Sequence, residues 1–425
     1  MLLRNIMYLV TMNKRREIIR NAAVLIKENK IADIGEDRDI ARKYKGEEVI
    51  DASNMVALPG LIQSHTHSPM TLMRGYADDL PLMEWLKEKI WPLEAKLKPR
   101  DAYYGSLLAN LEMIRFGVTT FADMYPFPEE IFKAVDTSGL RAVISPAIFE
   151  NINKSSNIKN AKKFLKHKHE RIIPSLGPHS TYACTKEELE EVARISEEEK
   201  ILIHIHAAET KDEIREIKKK YGMRPIEFLD SVGLLNERTL LAHVVWPSKR
   251  EISLIGKRNS KVVHCPISNM KLASGIAPLP EMKGITVSVG SDGPCSNNNL
   301  NVFEEMKITA LLHKVNTLDP TMVPANVALE MATINGAVSL GLENEIGSIE
   351  VGKRADIILV NFRKPHLTPV YNPISHLVYS CNGEDVDTVI VDGEILLRDG
   401  KFTKMNPEKI MNKVEKIKNR LVSTK

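Results

Sequence analysis

Residues 201–222 read ILIHIHAAETKDEIREIKKKYG. The apolar run Ile201–Ala207 ends in polar residues, and a charged, helix-like segment, Lys211–Tyr221, follows. The run predicts a strand and the segment after it a helix. The same unit recurs in both directions. Towards the N-terminus the apolar runs are Ile172–Leu176, Ala142–Ile148, Thr119–Asp123 and Val56–Gln63. Towards the C-terminus they are Thr239–Val244, Lys261–Cys265 and Thr286–Gly290. Strands alternating with helices predict a parallel sheet, and eight units predict an α/β fold, a (β/α)8 TIM-like barrel over residues 56–345.

The two ends read differently. Residues 1–55 hold the strand-like pieces Ala23–Ile26 and Ile31–Ile34, and residues 346–405 hold GSIEVGKRADIILVN and VDTVIVDGEILL. Both ends look all-β, which predicts one small composite β-sandwich built from both termini. The last stretch, 406–425, has apolar residues at helical spacing and predicts a helix packed on the surface. The charged run Lys159–Arg171 predicts the solvated face of another helix. Gly347–Lys353 imitates a phosphate-binding loop, but Arg354 stands where Ser or Thr is needed and a strand follows, so that reading fails.

Composition narrows the function. The chain has 425 residues, 43% hydrophobic and 27% charged, enough for a packed core. A net charge of +4 and 5% aromatic residues exclude nucleic acid as the expected partner. No run of 18 apolar residues exists, so no membrane span is expected. The N-terminus lacks the pattern of a secretory signal. Cys184, Cys265, Cys295 and Cys381 lie far apart, which speaks against a disulfide scaffold or thiolate zinc site and fits a cytoplasmic location.

Residues capable of chemistry gather just past the strand ends, which share one face of a barrel. His65 and His67 flank one residue, so in a strand both imidazoles point the same way. His204, His206 and Glu209 follow the fifth run, His243 ends the sixth, and Asp292 follows the eighth. Together they offer nitrogen and carboxylate ligands to a zinc-like ion with a position left for water. There is no HExxH, and the PCxxC pair of one class of zinc deaminases is absent.

LPGLIQSHTHSPMTLMRG, HIHAAET, LLAHVVW, VSVGSDG with SNNNL, and GSIEVGKRADIILV together resemble the amidohydrolase superfamily over nearly the whole chain. Within it, Trp91-Pro92-Leu93-Glu94 and Pro178-His179-Ser180 resemble the adenosine-type deaminases of S-adenosylhomocysteine, 5′-methylthioadenosine and 5′-deoxyadenosine. The resemblance implies that His65, His67, His206 and Asp292 hold one divalent metal per subunit. Zinc is the default, and iron or manganese suits the same ligands. It implies that His243 steers the attacking water, Asp292 takes its proton and Glu209 carries a proton to the purine. Glu94 is then the carboxylate that holds the ribose hydroxyls, and His179, Glu209 and Asp292 contact the substrate. His204 becomes a neighbour one layer deeper. The segment 172–182 lacks the lysine that bridges two metals in binuclear relatives. A homo-oligomer, specifically a homotetramer, and nucleoside salvage are further implications.

One departure bears on the substrate. Members that accept S-adenosylhomocysteine carry an arginine just after the third strand, and Ser145-Pro146-Ala147 has none; the nearest, Arg141, precedes the run. A short apolar 5′ group is therefore expected, 5′-deoxyadenosine first and 5′-methylthioadenosine next, with Met70, Leu72, Met73, Leu82 and Met83 as candidate pocket or core residues. Two rivals stand beside this reading. One is guanine, cytosine or triazine aminohydrolysis on the same scaffold, which Glu94 opposes because a free base has no ribose. The other is a non-catalytic scaffold, which the full ligand set opposes.

Overall fold

The computed structural model describes residues 1–149 and 157–423. From the N-terminal end come β1 (Leu2–Val10), β2 (Ile18–Lys27), β3 (Lys30–Glu36), β4 (Val49–Asp51) and β5 (Met55–Pro59). The barrel strands are β6 (Leu61–Thr66), β7 (Val118–Tyr125), β8 (Arg141–Ile148), β9 (Ile172–Pro174), β10 (Gly177–Pro178), β11 (Ile203–Ala207), β12 (Thr239–His243), β13 (Lys261–His264) and β14 (Val287–Val289). The C-terminal end adds β15 (Ile357–Asn361), β16 (Val386–Val391), β17 (Glu394–Arg398) and β18 (Lys401–Phe402).

The α/β barrel expected from the repeated unit is present. Its parallel strands form two arcs, β6 to β10 and β11 to β14. Parallel bridges from Leu176 to Ile203 and from Ser180 to His206 join them on one side, and a bridge from Thr66 to Asp292 joins them on the other. The fourth strand position is split between β9 and β10, both paired with β8. The fold thus aligns the ends of β6, β11, β12 and β14, which carry the candidate site residues.

The chain ends share one nine-stranded hydrogen-bonded path, ordered β18-β17-β16-β15-β5-β1-β2-β3 with β4 beside β1. β15 pairs antiparallel with β5, from Ile357 opposite Pro59 to Asn361 opposite Met55. These two central strands are buried on both faces. Ala57, Ile357 and Leu359 join the terminal core with Leu3, Ile6 and Val24, while Val56, Leu58, Ile358 and Val360 join the barrel core. Two-sided burial explains why both stretches read as unbroken apolar runs and not as alternation.

That same burial hid a boundary. The run Val56–Gln63, expected to be one strand, is two strands in two sheets, with the crossing at Gly60. A Cβ at Gly60 would stand 2.1 Å from the Thr119 side chain, so only glycine passes there. We therefore draw the division between the terminal β unit and the barrel at Gly60, not after residue 55. The ends are also not all-β. Asp37–Lys43 and Pro373–Tyr379 are helices, the second started by the Asn372 side chain, which accepts the amides of Ile374 and Ser375. In the run Lys159–Arg171, the helix Ile158–Phe164 ends before the remaining charged residues.

The C-terminal helix, Pro407–Val422, buries Ile410, Val414, Ile417 and Leu421. It packs on the helix Pro99–Arg115, and Arg420 pairs with Asp101. No helix among the described residues is long and apolar enough to cross a membrane.

Arg141 opens β8 and faces away from the barrel mouth. Its guanidinium is 1% exposed and donates to Asp356 at 3.0 and 3.1 Å, with Asp392 at 3.4 Å. A buried pair is no guarantee of stability, but removing one partner strands the other charge. Arg141→Ala should therefore lower unfolding free energy by about 3–5 kcal/mol. Urea denaturation measures it, and an unchanged midpoint would mean the pair does not tie barrel to sheet.

Candidate metal centre and active-site cavity

Strand alternation sets the first ligands. His65 and His67 project from the end of β6 to the same side, and His204 and His206 from β11 do likewise. The structure brings His65, His206, His243 and Asp292 together, with one ligand atom of each within 4.8 Å of the others. His243, read from the sequence as a non-ligand or weakly bound histidine that steers the attacking water, faces the same centre. His67 Nε2 lies 3.2 Å from Asp292 Oδ1 and 3.2 Å from His206 Nε2. His65 Nε2 lies 3.3 Å from Asp292 Oδ1.

Each imidazole is held from behind through Nδ1. His67 meets the Met124 carbonyl at 2.6 Å, His206 the His179 carbonyl at 2.7 Å, and His243 the Asn269 Oδ1 at 2.9 Å. His65 Nδ1 meets His204 Nε2 at 2.7 Å, which places His204 directly behind a ligand candidate. These contacts put the proton on Nδ1 of His206 and His243 and leave Nε2 as a lone-pair donor towards the centre; at His67 a bound ion would replace the Nε2 proton that faces Asp292. His65 Nε2 is buried and makes no hydrogen bond. A ring nitrogen in that state, among imidazoles and a carboxylate, fits a divalent metal of the zinc type.

Asp292 divides its oxygens. Oδ2 accepts Ser268 Oγ and Ser296 Oγ, both at 2.7 Å, while Oδ1 faces the imidazoles. Burial disfavours its charge, but His65 and His67 outweigh that and hold it well below the usual carboxylate range. For His67 burial also opposes the charge, and Asp292 with the Met124 carbonyl overcomes it, pushing the ring up to about 9. Burial pushes His65 down to about 4 and His179, beside further imidazoles, down to about 3. The backbone is strained at the same strand ends. Ala208, His243, Val244 and Asp292 are left-handed without being glycine, at φ of 52°, 73°, 45° and 64°.

A cavity opens onto this centre. Glu94, His179 and Glu209 line it with His67, His206, His243 and Asp292. Glu209 is buried, with Ser274 Oγ at 3.4 Å, and burial raises its carboxyl above the ordinary value. Glu94 ends the helix Trp91–Glu94; burial raises it too, and the Tyr125 hydroxyl partly offsets this. The His179 ring lies 4.5 Å from the rings of both Phe149 and His206.

Met70 and Leu82 line the cavity, whereas Leu72 and Met73 belong to the barrel core and Met83 to a neighbouring groove. Ala147 and Phe149, not Pro146, reach the cavity after the third barrel strand. No lysine or arginine lines it among the described residues. Sequence reasoning missed Ser268, Asn269, Tyr125 and Trp85. Ser268 and Asn269 stand just past the seventh apolar run, at the barrel end where every other site residue lies, and that position was their signal.

The sequence model of the amidohydrolase family matches residues 56–396. The chain is 48% identical over 404 residues to a 5′-deoxyadenosine deaminase of Methanocaldococcus jannaschii, covering 93% of this chain and 95% of that one. It is 44% identical over 422 residues to a 5-methylthioadenosine/S-adenosylhomocysteine deaminase of Syntrophomonas wolfei, covering 97% of each. Among solved structures it is similar to an adenosine deaminase from Xanthomonas campestris with bound zinc. The TM-score is 0.96 at 30% identity, over 99% of this chain and 98% of that one.

His204 is positioned to fix the ring of His65 from behind. Replacing it with alanine should weaken metal binding about 10–100-fold. Metal content after graded dialysis against a chelator checks this, and retention equal to the parent protein would remove His204 from that role.

Proposed function

The chain belongs to the amidohydrolase family, and from that premise we propose that it deaminates 5′-modified adenosines, releasing ammonia and the inosine analogue. 5′-Deoxyadenosine ranks first, followed by 5′-methylthioadenosine, S-adenosylhomocysteine and adenosine. One observation carries the reading: Glu94, Glu209 and the His/Asp cluster face a single cavity. A carboxylate at Glu94 has work to do on a ribose and none on a free guanine or cytosine. The chain's apolar wall supports the ranking. Met70, Leu82, Trp85 and Phe149 face the cavity, and with no cation among the described lining residues a carboxylate tail would forgo a charge-assisted bond of about 1.5–3 kcal/mol.

His65, His67, His206 and Asp292 would hold the metal, one ion per subunit since the segment 172–182 has no lysine to bridge a second. Zinc is the ion this donor set suits best, and it supplies Lewis acidity that brings the pKa of water towards 7. The rest is the work of side chains. Asp292 Oδ1 receives the proton of the attacking water while Oδ2 stays anchored on its two serines. His243, fixed by Asn269, orients that water towards C6 of the purine. Attack at C6 breaks the C6–N1 π bond, ending the ring's aromaticity, and places electron density on N1. Glu209 delivers a proton there, and its raised pKa keeps the acid form available to higher pH than an ordinary carboxyl. The proton held by Asp292 then passes to the amine, which leaves as ammonia, while the new C6 hydroxyl gives its proton to Glu209, so both carboxyl groups return to their starting states. Glu94 accepts the ribose 2′ and 3′ hydroxyls, and His179 presents a neutral ring to the substrate. The wide spacing of the four cysteines along the chain supports a cytoplasmic setting.

The deciding experiment compares kcat/KM of the zinc-loaded protein on 5′-deoxyadenosine, 5′-methylthioadenosine, S-adenosylhomocysteine, adenosine and guanine, by ammonia release. 5′-Deoxyadenosine should lead S-adenosylhomocysteine by about tenfold or more, the equivalent of one charged hydrogen bond. Turnover of guanine alone would refute the role given to Glu94. Glu209→Gln should keep its metal and lose about 10²–10⁴-fold in kcat. Near-normal turnover by that variant would take the acid role away from Glu209.

A further inference from the structure

The loop after β11 carries Glu209, and the residue before it, Ala208, holds a left-handed backbone with a side chain attached. Such a conformation persists only where surrounding contacts overdetermine it. On one side, the Ala208 carbonyl accepts the amides of Val245 and Trp246 at 3.0 and 2.9 Å, from the loop after β12. On the other side stands Glu213, 3% exposed, in the first turn of the helix Lys211–Tyr221. Its Oε1 accepts the Ala208 amide at 3.1 Å, and its Oε2 accepts the Glu209 amide at 2.8 Å. Oε1 also accepts Thr181 Oγ1 at 2.7 Å. Thr181 lies two residues after His179, on the loop that follows β10. The Glu213 amide is itself held, donating to Thr210 Oγ1 at 3.1 Å. One buried carboxylate thus gathers three donors from two loops, one bearing His179 and the other Glu209.

We infer that Glu213 is a positioning residue for the reaction: it pins the backbone of Glu209 and sets the separation of Glu209 from His179, so that both groups meet one purine ring. This role rests on Glu209 being the acid of the proposed deamination. Glu213 touches neither substrate nor metal ligand in this arrangement and acts through Glu209. A carboxylate is needed because it only accepts hydrogen bonds. Glutamine has nearly the same shape, but either orientation of its amide turns an NH2 group against a backbone N–H. The loop must then shift to relieve donor facing donor.

The test uses the full zinc-loaded chain and 5′-deoxyadenosine. Glu213→Gln should lower kcat about 10–100-fold, the effect of a misplacement on the order of 1 Å. KM should change less than about threefold and metal content should match the parent, because the damage is to an interaction made in the transition state. The decisive comparison repeats the substitution in a Glu209→Gln background. If Glu213 acts through Glu209, the second substitution there should remove less than about threefold more activity. An equal loss in both backgrounds, loss of metal, or an unchanged kcat in the single variant would each overturn the inference. Thr181→Val removes only the outer donor and should give a smaller fall in kcat at unchanged metal content. It carries the test should Glu213→Gln not fold, and a parent-level kcat would then count against the role. Full activity of Glu209→Gln alone would instead bring down the deaminase assignment of the acid, which separates the two failures.

Discussion

Asp292 is a carboxylate at the mouth of a barrel, buried and ionised, with imidazoles on one oxygen and serines on the other. Burying a bare carboxylate is prohibitive, so its surroundings must supply positive potential and donors together. Ser268 and Ser296 saturate one oxygen and thereby aim the other. The loop that presents it is tied to β6 twice, through Thr66 Oγ1 to the Asp292 carbonyl at 2.9 Å and through Gln63, the only glutamine in the chain, to the Ser291 amide at 3.1 Å. The barrel is therefore closed at the same point where its chemistry is concentrated. Closing the ring of strands and assembling the ligand set are one event in this fold.

The imidazoles depend on the same carboxylate. Desolvation disfavours the charged ring at His65, His179, His204 and His206. The field of Asp292 singles out His67 and reverses the outcome there. Backbone carbonyls at Met124 and His179 then orient the rings, so two of the supporting groups behind the centre are main chain and not side chain.

The repeated strand–helix unit made the barrel legible, because a parallel strand buried on both faces and a charged helix differ in both length and composition. The ligand candidates were legible for a related reason: strand periodicity puts His65 with His67 and His204 with His206, and the strand ends share a rim. The crossing at Gly60 was not, since β5 and the Leu61–Ile62 start of β6 read as one apolar run and only the packing of Thr119 separates them. Ser268, Asn269 and Glu213 were hidden because serine, asparagine and a helix-start glutamate are ordinary in sequence. Their importance lies in which buried atom each one meets. Arg141 was visible but unreadable, as its partners Asp356 and Asp392 lie more than two hundred residues away.

The pairing of β5 with β15 has a consequence for how the molecule is made. Residues 55–59 find their partner strand only after about three hundred further residues have left the ribosome. At ~5–20 residues per second this delay is on the order of 15–60 s. Through that interval an apolar strand, destined for burial on both faces, waits with an open edge. Few contacts in the fold span a longer stretch of chain, and closing so long a loop is slow. A nascent chain of this design emerges as a client for chaperones at its N-terminal end and completes its β unit last, after the barrel that unit supports has been synthesised.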